Sequence, residues 1–168
     1  MTSALRRMTR AWALAIAMGG VAYGCRDADV VARPPSQIPA KSLTPRVLVT
    51  TSGATATVTL TLDVAGDVGK IGSFTGRLRF DAAGLGYDGE SDLRDGALRA
   101  SNPGLGQVRV AGVSSDGLDL RSLARFRFTV KNASALQSLR FDLDEVHELS
   151  RTDVRASLRP AAAPRFVQ

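Results

Sequence analysis

The chain has 168 residues, of which 44% are hydrophobic and 23% charged, with one Cys, one His and one Trp. A single Cys excludes a disulfide within the chain, and one Cys with one His excludes a structural zinc site of the Cys/His type. The chain is too apolar for complete disorder, and its length suits one domain with extensions.

The net charge of +6 comes from the two ends of the chain. Residues 46–150 carry 12 basic and 13 acidic side chains, whereas residues 1–24 carry three arginines and no acidic residue. A nucleic-acid-binding domain carries its basic patch on the folded part. The charge distribution therefore argues against nucleic acid as a partner.

The N-terminus has the pattern of an export signal. Arg6, Arg7 and Arg10 precede an apolar run over residues 11–21. This order matches the charged and apolar regions of a signal peptide. The run is shorter than the roughly 20 apolar residues that a membrane-spanning helix needs. We therefore expect a signal peptide over residues 1–24.

Cys25, preceded by the small residues Ala22 and Gly24, resembles the lipobox cysteine of bacterial lipoproteins. The resemblance implies that Cys25 becomes the lipid-modified first residue of the mature chain, and several acyl chains would anchor it stably. Arg26 follows the cysteine at a position where Asp would indicate inner-membrane retention, so the outer membrane of the cell envelope is favoured. The alternative is ordinary signal cleavage nearby, which would leave an incidental Cys.

Residues 25–45 include four prolines and scattered polar residues, which predicts an extended tether. From residue 46 apolar and polar residues alternate, and no segment keeps a helical period for three turns. The alternation predicts strands at 58–64, 77–80, 108–110, 125–130, 139–144 and 154–159. Turn residues separate them. We expect an all-β antiparallel β-sandwich over 46–159 and a flexible tail over 160–168.

The order of these segments resembles a cohesin domain. The apolar strand at 58–64 precedes a strand that ends in the aromatic–acid pair Phe80-Asp81, and a short strand follows at 85–88. Segments 106–113, 116–130 and 139–146 fit the later strands of the family. The resemblance implies a jelly-roll sandwich of about nine strands that is a binding module and not an enzyme. The best-known members bind dockerin modules.

In that family the partner surface is one outer sheet face, formed by strands equivalent to 8, 3, 6 and 5. The resemblance places on this face Thr75, Arg77, Arg79, Gln107, Arg109, Arg140, Asp142 and Asp144. Arginine binds carboxylates with two parallel hydrogen bonds, so we expect a dockerin-like partner or another acidic protein surface. The alternative is a solvated outer face whose alternating charges prevent aggregation.

Other motifs indicate no chemistry. Residues 84–89 match G-x-G-x-x-G, but no helix is predicted after them, which favours a glycine-rich turn over a dinucleotide site. The acidic residues around His147, from Asp142 to Glu148, are interpreted as a solvated strand end and not as a metal site. Nucleophilic catalysis needs a nucleophile, a general base and a group that orients the base. His147 is the only imidazole of the chain, and the sequence does not supply these three groups together. We expect no catalytic site, metal or cofactor.

Two further functions stay open on the same scaffold: a carbohydrate-binding module, and a structural envelope lipoprotein without a discrete ligand. A conventional carbohydrate-binding module stacks sugars on exposed aromatic rings, so this hypothesis predicts that Tyr87 or Phe74 is exposed. Protein binding predicts that Arg77, Arg79, Arg109 and Arg140 form one contiguous patch. A structural role predicts that loops divide them.

Overall fold

The computed structural model describes residues 41–150, Val154 and residues 157–167. The predicted signal peptide, Cys25 and the tether up to residue 40 lie outside these residues. The described part contains one 3-10 helix, Ala133–Ser138, and nine strands. The strands are β1 Ser42–Ser52, β2 Thr55–Ala65, β3 Ile71–Arg79, β4 Leu85–Glu90, β5 Leu98–Gly104, β6 Gln107–Val113, β7 Ala124–Val130, β8 Arg140–Glu148 and β9 Arg165–Val167.

The nine strands form two sheets. One has five strands in the order β4-β7-β2-β1-β9, and the other has four in the order β5-β6-β3-β8. Neighbouring strands are antiparallel, except that β9 runs parallel to β1. The predicted all-β sandwich of about nine strands is confirmed.

The core lies between the two sheets because apolar residues alternate with polar ones along each strand. In β3, Phe74 and Leu78 are fully buried, whereas Arg77 between them is only half-buried. The ring of Phe74 meets that of Phe141 edge to face, with 6.4 Å between centroids. The ring of Phe80 lies 5.0 Å from that of Phe128 in the opposite sheet. Aromatic contacts therefore join β3 to β8 and one sheet to the other.

A bulge interrupts the pairing of β3 with β8. Thr75 pairs with Glu145 and Gly76 pairs with Leu143, so β8 has one extra residue, Asp144. A Cβ atom on Gly76 would lie 2.7 Å from the carbonyl oxygen of Asp142. Glycine is therefore needed where β8 comes close to β3. The bulge turns Asp144 and Glu145, two consecutive residues, toward the outer face.

The structure differs from the sequence analysis at both ends of the domain. β1 begins at Ser42, inside the predicted tether 25–45, because residues 42–45 pair with Leu62–Ala65 of β2. Residues 165–167, assigned to a flexible tail, form β9 on the edge of β1. The tail thereby covers backbone groups that an edge strand would otherwise expose. Of the predicted strand 154–159, Val154 is buried, and Leu158 forms an isolated bridge with Leu43.

The turn that leads into β6 lies later in the chain than the turn-forming residues Asn102, Pro103 and Gly104 suggest. Residues 102–104 belong to β5, and the turn into β6 falls at residues 105–106, where Gly106 has a φ of 68°.

The residues that follow Gly84 form strand β4 and not a helix. A dinucleotide-binding turn requires a helix at that point, so the G-x-G-x-x-G pattern has the structure of a turn into an edge strand.

We predict that Gly76→Ala lowers the free energy of unfolding by about 1–3 kcal/mol, since the added methyl group would clash with the backbone of β8 and the ring of Phe141. Gly86→Ala is the matched control, because the nearest atom to its Cβ would be 3.8 Å away. The control should stay within about 0.5 kcal/mol of wild type. Urea denaturation measures both, and equal effects would contradict the close approach of β8.

Candidate functional site

The outer face of β5-β6-β3-β8, called here the arginine face, holds four arginines in two adjacent rows. Arg77 of β3 lies directly opposite Arg109 of β6, and Arg79 of β3 lies directly opposite Arg140 of β8. Side chains in such cross-strand positions lie about 4.5–5.5 Å apart at Cβ, and like charges there are destabilising. The four arginines form one contiguous patch, as the protein-binding hypothesis predicts.

Two carboxylates of β8 neutralise part of this patch. Arg77 donates a hydrogen bond of 2.6 Å to Asp144, and the Nε of Arg79 lies 3.1 Å from a carboxylate oxygen of Asp142. The hydrogen bond to Asp144 raises the pKa of Arg77 above its ordinary value. Within residues 41–150 and 157–167, Arg109 and Arg140 have no ion-pair partner. Two positive charges therefore stay available to an external anion.

The other half of the arginine face is apolar. Leu98 of β5 and Val113 of β6 lie opposite each other and are 74% and 50% exposed. Ala100 and Ala111 form the next pair along the same strands. A shallow depression of about 280 Å³ lies over these residues, and His147 of β8 is on its wall. A second depression, of about 570 Å³, lies over the arginine half and is lined by Arg77, Arg109, Asn102 and Asp144 among others.

Arg99 fixes β5 at the edge of this sheet. Its side chain is only 8% exposed, and it donates two hydrogen bonds to the carboxylate of Asp95. It also donates to the carbonyl oxygen of Leu123, in the segment that leads into β7. Because Arg99 points inward, its neighbours Leu98 and Ala100 point outward. This contact therefore holds the apolar half of the arginine face in place.

All eight residues that the resemblance assigned to the partner surface lie on the arginine face. Their role in binding stays a prediction. The resemblance named a strand equivalent to 5 as part of this face, but the sequence analysis assigned no residue of β5 to it and missed the apolar half. It also missed Glu145 and His147, which face outward because the bulge changes the phase of β8. In the sequence, Leu98, Ala100 and Asn102 occupy every second position. This weak alternation was the pattern from which β5 could have been predicted.

The remaining candidate groups have structural contacts. Asp142 and Asp144 pair with arginines, while Glu148 points inward and accepts a 2.9 Å hydrogen bond from the backbone N–H of Gly69. This hydrogen bond lowers the pKa of Glu148. Across the described ranges, no three His, Cys, Asp or Glu side chains are grouped to hold a metal ion. No helix among them is long and apolar enough to cross a membrane.

The aromatic residues named for a sugar site do not form one. Phe74 is 1% exposed, and Tyr87 packs against the rings of Phe126 and Phe128 at 5.9 and 5.6 Å. Phe74 belongs to the core of the sandwich, and Tyr87 is half-buried against it. Neither gives the exposed platform that the carbohydrate hypothesis needs.

Comparison with solved structures gives matches to cohesin modules. A non-cellulosomal cohesin from Archaeoglobus fulgidus has a TM-score of 0.52 and 17% identity, over 74% of this chain and 92% of that one. The cohesin module of a family 33 glycoside hydrolase from Clostridium perfringens has a TM-score of 0.52 and 13% identity, over 76% and 98%. A type I cohesin–dockerin complex from Clostridium thermocellum has a TM-score of 0.50 and 10% identity, over 75% and 99%.

The sequence itself matches no protein-family model and no curated protein. The likeness to cohesins therefore lies in the fold. The chain has a cohesin-like domain, as the order of its sequence segments indicated.

We predict that Asp95→Asn lowers the stability of the domain by about 1 kcal/mol near neutral pH, because it removes a bidentate contact to a nearly buried guanidinium. Hydrogen bonds from Arg99 lower the pKa of Asp95 from 3.8 to about 2. The stabilisation is therefore complete above about pH 4 and is lost as the pH falls toward 2.

Denaturation midpoints of wild type and Asp95→Asn should therefore converge between pH 4 and pH 2. Asp92→Asn is the control, since the pair of Asp92 with Arg94 is almost fully exposed and should contribute little. A difference between wild type and Asp95→Asn that does not change with pH would contradict the role of the ionised carboxylate.

Proposed function

We propose that this chain is an exported, lipid-anchored module of the cell envelope that binds a protein partner through the arginine face. The observation that carries the proposal is the patch of four arginines in which two, Arg109 and Arg140, have no carboxylate partner among the described residues. Opposed arginines cost stability, and carboxylates of a partner would relieve that repulsion. The partner we propose is therefore acidic.

The composition of the arginine face supports a protein as this partner. Protein interfaces are enriched in arginine and in apolar side chains at their centre, and depleted in lysine. The face combines arginines with the exposed pair Leu98 and Val113, and it carries no lysine on its four strands. A cohesin of the same fold occurs in a complex with a dockerin, and another solved cohesin is non-cellulosomal. A protein partner outside a cellulosome is therefore consistent with the fold.

We predict that replacing the arginines of this face by serine abolishes capture of the partner from envelope extracts. The bait is the full chain in mild detergent, and the variant changes Arg77, Arg79, Arg109 and Arg140. The matched control removes four other arginines, on the opposite sheet and its loops: Arg121, Arg125, Arg127 and Arg165. A protein retained by wild type and control, lost by the variant and eluted as salt rises would support the proposal.

Equal capture by the variant and wild type would exclude the arginine face as the binding surface. Leu98→Ser examines the apolar half separately, since it removes an exposed side chain without changing any charge. If both halves contact the partner, Leu98→Ser should weaken capture several-fold, and the weakened binding should keep its salt dependence.

The envelope location in the proposal depends on Cys25. We predict that cells expressing the chain incorporate labelled fatty acid into it, and that it sediments with the outer membrane. Cys25→Ser should abolish labelling and release the protein from the membrane fraction, because the acyl chains are the anchor. A wild-type chain that is exported but unlabelled would indicate ordinary signal cleavage and contradict lipid anchoring.

A further inference from the structure

The opposite side of the sandwich has a second polar surface, called here the threonine face. It is the outer face of β7, β2, β1 and β9 in the five-stranded sheet. Thr57 of β2 lies between Arg127 of β7 and Thr50 of β1, and in the next row Thr59 lies between Arg125 and Leu48. Threonines thus form the floor of the face along β2, and β7 forms one arginine wall.

A single arginine forms the opposite wall of this floor. Arg165 of β9 is paired with Leu48 and therefore lies in the same row as Arg125, three strands away. Three strand spacings separate the walls by roughly 14 Å at the backbone. These arginines therefore flank the threonines of β2 and the neighbouring residues of β1 on two sides, and we call this band the trough. This trough is wide enough for one extended polymer chain.

The trough has more positive than negative charge. Arg125, Arg127 and Arg165 have no ion-pair partner in the part of the chain that the structure describes. Of the carboxylates on or beside these strands, Asp63 pairs with Arg46, whereas Asp88 keeps its charge while it accepts a hydrogen bond from Thr129. The three arginines outnumber this one carboxylate. A ligand in the trough would therefore carry anionic groups.

The chemistry of the trough favours one class of polyanion. Threonine hydroxyls both donate and accept hydrogen bonds, which suits a ligand rich in hydroxyl groups. Arginine suits carboxylates through paired hydrogen bonds. Single-stranded nucleic acid needs aromatic side chains for base stacking. Phe166 of β9 is 45% exposed, but it pairs with the buried Val49 and so has the phase of the inner face, not of the trough. A membrane surface needs a substantial apolar face for insertion, whereas Leu48 and Val167 are isolated among threonines and arginines.

From this juxtaposition we propose that the threonine face binds an acidic polysaccharide, whose carboxylates contact the arginine walls and whose hydroxyl groups contact the threonine floor. This surface is separate from the arginine face, so the cohesin-like domain would hold a protein on one side and a polyuronate on the other. The two activities can be lost independently.

The test is affinity electrophoresis of the full chain in detergent gels that contain polygalacturonate. Wild type should be retarded at low salt, and Arg125→Ser with Arg127→Ser should weaken binding at least tenfold. Thr57→Val with Thr59→Val keeps shape and charge but removes two hydroxyl groups, and it should weaken binding at least threefold. The control, Arg79→Ser with Arg140→Ser, removes the same charge from the arginine face and should bind like wild type.

Poly-L-aspartate, single-stranded DNA and vesicles with anionic lipids are the comparison ligands, and all should bind more weakly than polygalacturonate. The proposal is overturned if wild type is not retarded, or if the control loses as much binding as the arginine variant. It is also overturned if a comparison ligand binds as tightly as polygalacturonate, or if the valine variant binds like wild type, since charge alone would then explain retention. Thermal unfolding of each variant confirms that it is folded.

Discussion

The register of β3 between β6 and β8 is the constraint on which the rest of the structure depends. β3 is a central strand, and its inward residues Phe74 and Leu78 fill the core while Arg77 and Arg79 point outward. A slip of one residue would exchange these two sets. It would bury two arginines without partners, which costs several kcal/mol for each charge. The same register that completes the core therefore assembles the arginine face.

Both outer faces of the sandwich carry arginines, although the central part of the chain has nearly balanced charge. The balance is spatial: most aspartates lie in turns or pair with particular arginines, such as Asp144 with Arg77. The net charge does not describe this distribution, because it does not say which charged side chains share a face. The apolar pair Leu98–Val113 distinguishes the two faces. One combines arginine with apolar surface, as protein interfaces do, and the other combines arginine with hydroxyl groups.

Sequence periodicity predicted the strands with clear alternation, β2, β3, β6, β7 and β8, because their inward residues are large and apolar. It did not predict β5, whose Asn102, Pro103 and Gly104 are typical turn residues and are extended only because they pair with β6. β9 is three residues long and exists through its pairing with β1. The bulge at Asp144 ends strict alternation, so the outward position of His147 could not be predicted from period two. The eight face residues were predicted by resemblance, since periodicity alone does not say which strands are neighbours.

The most direct test of this account is to trap the pairs of the arginine face by oxidation, in a chain that carries Cys25→Ser. Residues directly opposite in antiparallel strands lie within disulfide range. The account predicts that Arg77→Cys crosslinks with Arg109→Cys, and that Arg79→Cys crosslinks with Arg140→Cys. Arg77→Cys should not crosslink with Val110→Cys, because Val110 points into the core. Crosslinking of that third pair, with none between the first two, would mean that the four arginines do not share a face.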